Sequence, residues 1–132
     1  MGATIGHMGR RAALPESARS ALANFFGDDI ARVEVIENSF FAHLHWKAVA
    51  TTRRRRIYLR GSAEDFFNDP ALMMHEYFHV MKQWEPRLLT SCRYVLEWLR
   101  HGYWSNRFEV EAWQFTTENL YSFKLLLTRS RP

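Results

Sequence analysis

Residues 68–81 read NDPALMMHEYFHVM, a stretch whose pattern predicts a buried helix. Asp69 is one of the residue types favoured as an N-cap, and Pro70 is favoured at the first helical position. The residues that follow contain no helix breaker before Pro86, and they are apolar almost all round. We therefore predict a helix that begins at Pro70, continues to about Trp84 and is buried in the core.

Within this helix, His75, Glu76 and His79 form the pattern HExxH. Residues four apart lie on the same face of a helix, so the two imidazoles can bind one metal ion. The carboxylate beside the first imidazole then lies close enough to act on a water molecule bound to that ion. Metal binding also gives the buried polar atoms a partner, without which their burial would cost free energy. The alternative is a hydrogen-bonded pair of buried histidines with Glu76 at the surface.

A catalytic zinc site usually has three protein ligands and one open position for water, so a third ligand is needed. No remaining histidine, and not the single cysteine, follows the motif at the short fixed spacing of a third histidine ligand. A second helix, predicted from Ser105 to about Leu126, carries two candidates. Glu109 lies at the edge of its apolar stripe, whereas Glu111 lies further round. We prefer Glu109, and the alternative for both is a solvated carboxylate near a helix N-terminus.

The segments HEYFHVMKQW and FEVEAW together resemble the gluzincin clan of zinc metallopeptidases. The short chain is similar to the minigluzincins and to a peptidase-like domain of unknown function found near bacterial contractile injection systems. This resemblance runs from Leu14 to Ala112 and implies a zincin-like fold with one zinc ion per chain. It implies that Glu76 is the catalytic base. The zinc ligands that it implies are His75, His79 and Glu109.

The chain departs from the gluzincin pattern at one position that bears on the metal. Many gluzincins have an aspartate four residues after the ligand glutamate, where it supports a ligand histidine. Here that position is occupied by Trp113. Because partners of this kind orient metal ligands and tune their affinity, we expect the support of the histidine to differ here.

Outside the motif, the patterns predict an α+β domain with a small sheet. A helix that opens at Leu14-Pro15-Glu16 and ends at Phe26 precedes an extended segment at residues 31–36, and another helix is predicted over residues 86–100. Residues 48–52 and 57–60 read as two strands of a hairpin that turns through the arginines between them. We predict a three-stranded sheet, mainly antiparallel or mixed, packed on helices. Residues 1–132 are expected to form a single domain with disorder over residues 1–13.

A sheet edge near the motif helix can hold an extended peptide by backbone hydrogen bonds. By the resemblance, the first hairpin strand is our candidate for that edge, and an ordinary hairpin strand is an equal alternative. The candidate substrate-binding residues are Ala48, Val49, Ala50 and Thr51. Nearby, His43 and His45 would share one face of a strand, which allows a second metal site, although surface histidines are the simpler interpretation.

Peptide hydrolysis also needs a donor for the oxyanion that develops on the carbonyl. His101 and Tyr103 precede the helix that carries Glu109, so they are the nearest candidates in the sequence. The alternative is that both are packing residues at a helix end.

Four consecutive arginines, Arg53–Arg56, stand out in a chain of net charge +4. A solvated basic turn is the first interpretation, attraction to an acidic substrate or protein partner is the second, and nucleic-acid binding is the third. No stretch approaches the length of a membrane span, and the N-terminus lacks the apolar region of a signal peptide. The single cysteine suits a reducing compartment. We expect a cytoplasmic protein, or one exported by a route that needs no signal peptide.

The function predicted from these patterns is a zinc metallopeptidase, a gluzincin-type hydrolase acting on a peptide or protein substrate. Its metal would activate a water molecule, and Glu76 would take the proton of that water. Two alternatives belong to other classes of protein. One is a catalytically inactive zinc-binding interaction module, and the other is a basic nucleic-acid-binding protein.

Overall fold

The computed structural model describes residues 9–39, 50–53, 55–87, 90–102 and 106–129. The elements in chain order are β1 (Arg10–Ala12), α1 (Glu16–Phe26), β2 (Glu34–Glu37), β3 (Ala50–Arg53), β4 (Arg56–Leu59), α2 (Ala63–Phe67), α3 (Pro70–Phe78), α4 (Ser91–His101) and α5 (Arg107–Arg129). A 3₁₀ turn at Asp28–Arg32 follows α1, and a π-helical turn at His79–Trp84 follows α3. The predicted α+β class is confirmed, whereas the zincin-like fold stays a prediction.

The described strands form one mixed sheet in the order β1-β2-β4-β3. The central pair, β2 and β4, is parallel, and both outer pairs are antiparallel. The sheet thus has four strands rather than the three we predicted. The additional strand, β1, lies within the segment that we predicted to be disordered. It is held by charge pairing, because Arg10 and Arg11 each lie 2.8 Å from a carboxylate of β2.

The predicted arginine hairpin is present, and its charges are partly paired. β3 and β4 pair up to Arg53 and Arg56, and Arg55 lies in the turn with a φ angle of 61°. Its guanidinium donates to Glu85 at 3.1 and 3.3 Å, which ties the turn to the end of the π-helical turn. Arg56 donates to Glu34 of β2 at 3.2 Å.

Helix α3 begins as predicted and is buried on nearly every side. The Asp69 carboxylate accepts a hydrogen bond from the backbone N–H of Leu72 at 3.1 Å, and Pro70 is the first helical residue. Its buried side chains include Met73, Met74 and Tyr77. The helix packs against α5, which also packs against α1. These contacts bring the HExxH residues and the start of α5 together.

The helical segment continues to Trp84 as predicted, but its last six residues form a π-helical turn. The backbone N–H of Glu85 donates to the carbonyl of Val80, five residues earlier, at 2.8 Å. The next helix, α4, begins at Ser91 and not at residue 86 as we predicted. Its N-cap is Thr90, whose hydroxyl accepts from the N–H of Arg93 at 3.2 Å. Pro86 is compatible with the start of a helix, but the N-cap of α4, Thr90, lies further along the chain.

Helix α5 begins directly after its N-cap, Asn106. The side-chain oxygen of Asn106 accepts from the N–H of Phe108 at 2.9 Å. Ser105, which we predicted as the N-cap, lies outside the described residues. The cap is buried and places Glu109 in the first turn, where it faces α3.

Candidate metal centre

Three potential ligand atoms converge between α3 and α5. Glu109 Oε1 lies 2.9 Å from His75 Nε2 and 3.0 Å from His79 Nε2, and the two imidazole nitrogens are 3.1 Å apart. The three side chains are buried. The cluster therefore joins the HExxH histidines to the glutamate that we preferred as third ligand. Glu111, the alternative, is exposed and contacts Gln83 instead.

His79 has a buried polar partner one helical turn further along the chain. Its Nδ1 lies 2.6 Å from Oε1 of Gln83, which is 2% exposed. The Gln83 amide nitrogen donates to the carbonyl of Phe108 and to the Glu111 carboxylate, both at 3.0 Å. Gln83 thus connects the second histidine of the motif to the first turn of α5.

His75 is held differently, by packing. Its ring lies against Trp113, with centroids 4.0 Å apart and planes inclined by 34°. Its Nδ1 is buried and has no hydrogen-bond partner among the described residues. Trp113, at the position where many gluzincins have an aspartate, therefore contacts His75 but offers no acceptor at its Nδ1.

Helix α4 contributes a residue that the sequence did not indicate. The Tyr94 hydroxyl donates to Oε2 of Glu109 at 2.9 Å, while Oε1 faces the histidines. The two carboxylate oxygens of Glu109 therefore contact different groups. Oε2 accepts from the Tyr94 hydroxyl, and Oε1 contacts both histidines.

The cluster strongly perturbs the protonation of its members. Burial, the largest single effect, lowers the pKa of His79, but the hydrogen bond and charge of Glu109, the charge of Glu76 and the hydrogen bond with Gln83 together outweigh it and raise this pKa to about 9. Burial alone would raise the pKa of Glu109, but the hydrogen bonds with both histidines hold it well below its usual range. The carboxylate is therefore ionised, as a metal ligand must be.

Glu76 is buried beside the cluster, which contradicts the alternative that places it at the surface. Burial raises the pKa of Glu76, and the positive charge of the two histidines partly offsets that rise. A carboxyl group with a raised pKa holds a proton more readily than an exposed carboxyl group does, and this one lies adjacent to two potential metal ligands.

The donor set and its geometry fit a metal ion. Two imidazole nitrogens and one carboxylate oxygen are ligands that zinc and related transition metals accept. Tetrahedral bonds of about 2.0–2.1 Å place ligand atoms about 3.3–3.4 Å apart. The distances of 2.9–3.1 Å in the cluster are a few tenths of an ångström shorter.

The other predicted site residues lie apart from the cluster or outside the described residues. His101 is exposed at the end of α4, where its Nε2 lies 3.9 Å from Glu97 on the same helix. Tyr103, His43, His45, Ala48 and Val49 lie outside the described residues. Ala50 and Thr51 belong to β3, an edge of the sheet formed by the described strands. Their role in substrate binding stays a prediction.

Fold and cluster together define a class: an α+β protein with a buried His₂Glu cluster that can bind a metal, formed by an HExxH helix and a later helix. A family model described as the eCIS core domain matches residues 13–87, more than half of the chain. The chain belongs to this family, which links it to proteins associated with contractile injection systems. No curated protein and no solved structure matches it. The matched region includes the HExxH motif and Gln83 but ends before Tyr94 and Glu109.

Proposed function

We propose that the protein is a zinc-dependent peptidase, in which His75, His79 and Glu109 hold one zinc ion and Glu76 is the general base. The observation that carries the proposal is the convergence of three buried ligand atoms within 2.9–3.1 Å of one another. The motif helix alone supplies two of these atoms. The third comes from an element 30 residues further along the chain, so the convergence is a property of the tertiary fold.

Zinc, when bound, would lower the pKa of a water molecule and polarise a peptide carbonyl. Glu76 would accept the proton of the attacking water and pass it to the leaving amine, a task that suits its raised pKa. Tyr94 holds Oε2 of Glu109 and thereby keeps Oε1 directed into the cluster.

The peptide substrate would bind along β3, which packs beside α3 and the π-helical turn. The indole N–H of Trp84 donates to the hydroxyl of Thr52 at 3.1 Å and fixes the strand against that turn. A peptide added to this edge would make backbone hydrogen bonds and run past the cluster.

The test is Glu76→Gln, which keeps the side-chain shape but removes the base. We expect the variant to bind zinc like the unmodified protein and to cleave a peptide library about 10²–10⁴-fold more slowly. Glu64→Gln, in the exposed part of α2, is the matched control and should change neither property. Equal cleavage by Glu76→Gln and the unmodified protein would refute the role of Glu76.

A catalytically inactive zinc-binding interaction module is the second candidate, and Trp113 favours it. The tryptophan leaves His75 Nδ1 without an acceptor, so the ligand is less firmly oriented than in many gluzincins. This candidate predicts stoichiometric zinc without cleavage of any peptide. Nucleic-acid binding receives less support, because Arg55 and Arg56 pair with carboxylates of the protein itself.

None of the helices in the described part of the chain is long and apolar enough to cross a bilayer. We propose that the protein acts in the cytoplasm or leaves it by a route that needs no signal peptide.

A further inference from the structure

The orientation of the Gln83 side chain is determined by its neighbours. Its amide nitrogen lies 3.0 Å from the carbonyl oxygen of Phe108 and 3.0 Å from a carboxylate oxygen of Glu111. Both of these atoms only accept hydrogen bonds, so the group facing them must be the NH₂. The amide oxygen of Gln83 is therefore the atom that faces His79.

This orientation fixes the form of the histidine. An amide oxygen only accepts, so Nδ1 of His79, at 2.6 Å, must carry the proton that it donates. Of the two neutral tautomers of His79, this contact permits only the one in which Nε2 has a free lone pair. Once His79 gives up its Nε2 proton, as metal binding requires, that lone pair points at His75 and Glu109.

We propose that Gln83 is a positioning residue for metal binding: it holds His79 in the Nδ1–H form and aims Nε2 into the cluster. The inference deepens the proposed function and rests on it in one respect, since the positioned atom is a ligand of the proposed zinc ion. Zinc sites commonly orient a histidine ligand through its other ring nitrogen. Here the orienting group is an amide one helical turn further along the chain.

Gln83 also couples the two helices that supply the ligands. Its NH₂ group holds the carbonyl of Phe108, the residue directly before Glu109, while its oxygen holds His79. A displacement of the amide would therefore move two ligands relative to each other. Among the residues that the structure describes, no comparable contact serves His75, which packs against Trp113.

The first test is the zinc affinity of Gln83→Met, measured by competition with a chelator. Methionine keeps the length of the side chain but removes the acceptor, so we expect about 10–100-fold weaker binding. Gln114→Met, at an exposed position of α5, is the matched control and should bind zinc like the unmodified protein. Adding Glu111→Gln to Gln83→Glu exchanges carboxylate and amide. This exchange restores an acceptor for His79 but leaves the Phe108 carbonyl without its donor, so we expect tighter zinc binding than in Gln83→Met and weaker binding than in the unmodified protein.

The second test is a ¹⁵N–¹H spectrum of the histidine rings in the unmodified, zinc-loaded protein, which needs no variant to fold. We expect a slowly exchanging Nδ1 proton on His79, and zinc on Nε2. The opposite tautomer, or a Gln83→Met variant that binds zinc as tightly as the unmodified protein, overturns the inference while leaving the metal site intact. An unmodified protein that binds no zinc overturns the proposed function together with the positioning role. The two failures are thus distinguishable.

Discussion

Replacing Glu109 with alanine removes the residue on which the cluster depends. In the metal-free protein, Oε1 of Glu109 contacts both histidines at 2.9 and 3.0 Å, and Oε2 accepts from Tyr94 at 2.9 Å. Glu109→Ala removes the carboxylate that raises the pKa of His79, so the two buried imidazoles and the Tyr94 hydroxyl all lose their buried partner. We therefore expect a large loss of stability rather than the small effect of a surface substitution.

The size of that loss follows from the burial of the pair, because both side chains are less than a tenth exposed. Breaking a buried ion pair by removing one partner costs about 3–5 kcal/mol. For a chain of 132 residues, that corresponds to a melting temperature about 10–18 °C lower, from the usual unfolding entropy per residue. Such a loss is a large part of the roughly 5–15 kcal/mol by which domains are stable.

Thermal and urea denaturation at pH 7 measure this effect, with and without added zinc. The matched control is Glu118→Ala, which removes an exposed carboxylate from the same helix and should change the free energy of unfolding by less than about 0.5 kcal/mol. Free zinc at about a thousand times its Kd should add about 4 kcal/mol to the unmodified protein, but much less to Glu109→Ala. Equal stability of the two variants, with zinc stabilising both, would refute the assignment of Glu109.

Three further substitutions test other parts of the structure. Hydrogen bonds from the Ala63 N–H and from Arg10 lower the pKa of Glu37, so Glu37→Gln should lose about 1 kcal/mol at pH 7, after allowance for solvent screening. This difference in the free energy of unfolding should vanish as pH falls through the lowered pKa of Glu37, because the carboxylate stabilises the fold only while it is ionised. Urea denaturation at a series of pH values measures the difference. Trp113→Asp gives His75 Nδ1 an acceptor and should tighten zinc binding about tenfold in chelator competition. Asn106→Ala removes the N-cap of α5 and should cost about 1–2 kcal/mol by urea denaturation.

Each of these expectations can fail in a recognisable way. A Glu37→Gln effect of equal size at pH 3 and pH 7 would show that its charge is not involved. Weaker zinc binding by Trp113→Asp would show that the ring packing matters more than the missing acceptor. An Asn106→Ala variant as stable as the unmodified protein would mean that the cap is replaced by solvent.

The parts of the fold that follow from local chemistry were predictable from the sequence. The N-cap and first proline of α3, and its apolar pattern, depend only on neighbouring residues. The same holds for the arginine hairpin, where two strand-like segments flank a short turn. Strand β1 could not be predicted in this way, because three residues with two arginines show no strand pattern of their own and pair only with β2, more than 20 residues further along the chain.

In the candidate site, too, the residues that depend on local pattern were predictable and those that depend on distant contacts were not. His75, His79 and Glu76 come from one motif, and Glu109 was chosen over Glu111 from the direction of an apolar stripe. Gln83 had a signal that we did not use, since it lies four residues after His79 and so shares its helix face. No signal in the sequence indicated Tyr94. Its contact with Glu109 depends on the position of α4 relative to α5, which the sequence pattern does not indicate.

The burial of the three ligand atoms has a kinetic consequence. His75, His79 and Glu109 are 1%, 3% and 6% exposed, so very little of their surface is open to an ion in solution. We expect part of the protein to open locally when an ion enters or a substrate binds, and such openings span a wide range of free energies. Uptake should therefore be limited by this opening rather than by collision. Its rate should stop rising with zinc concentration, and an ion once bound should leave slowly even when a strong chelator is present.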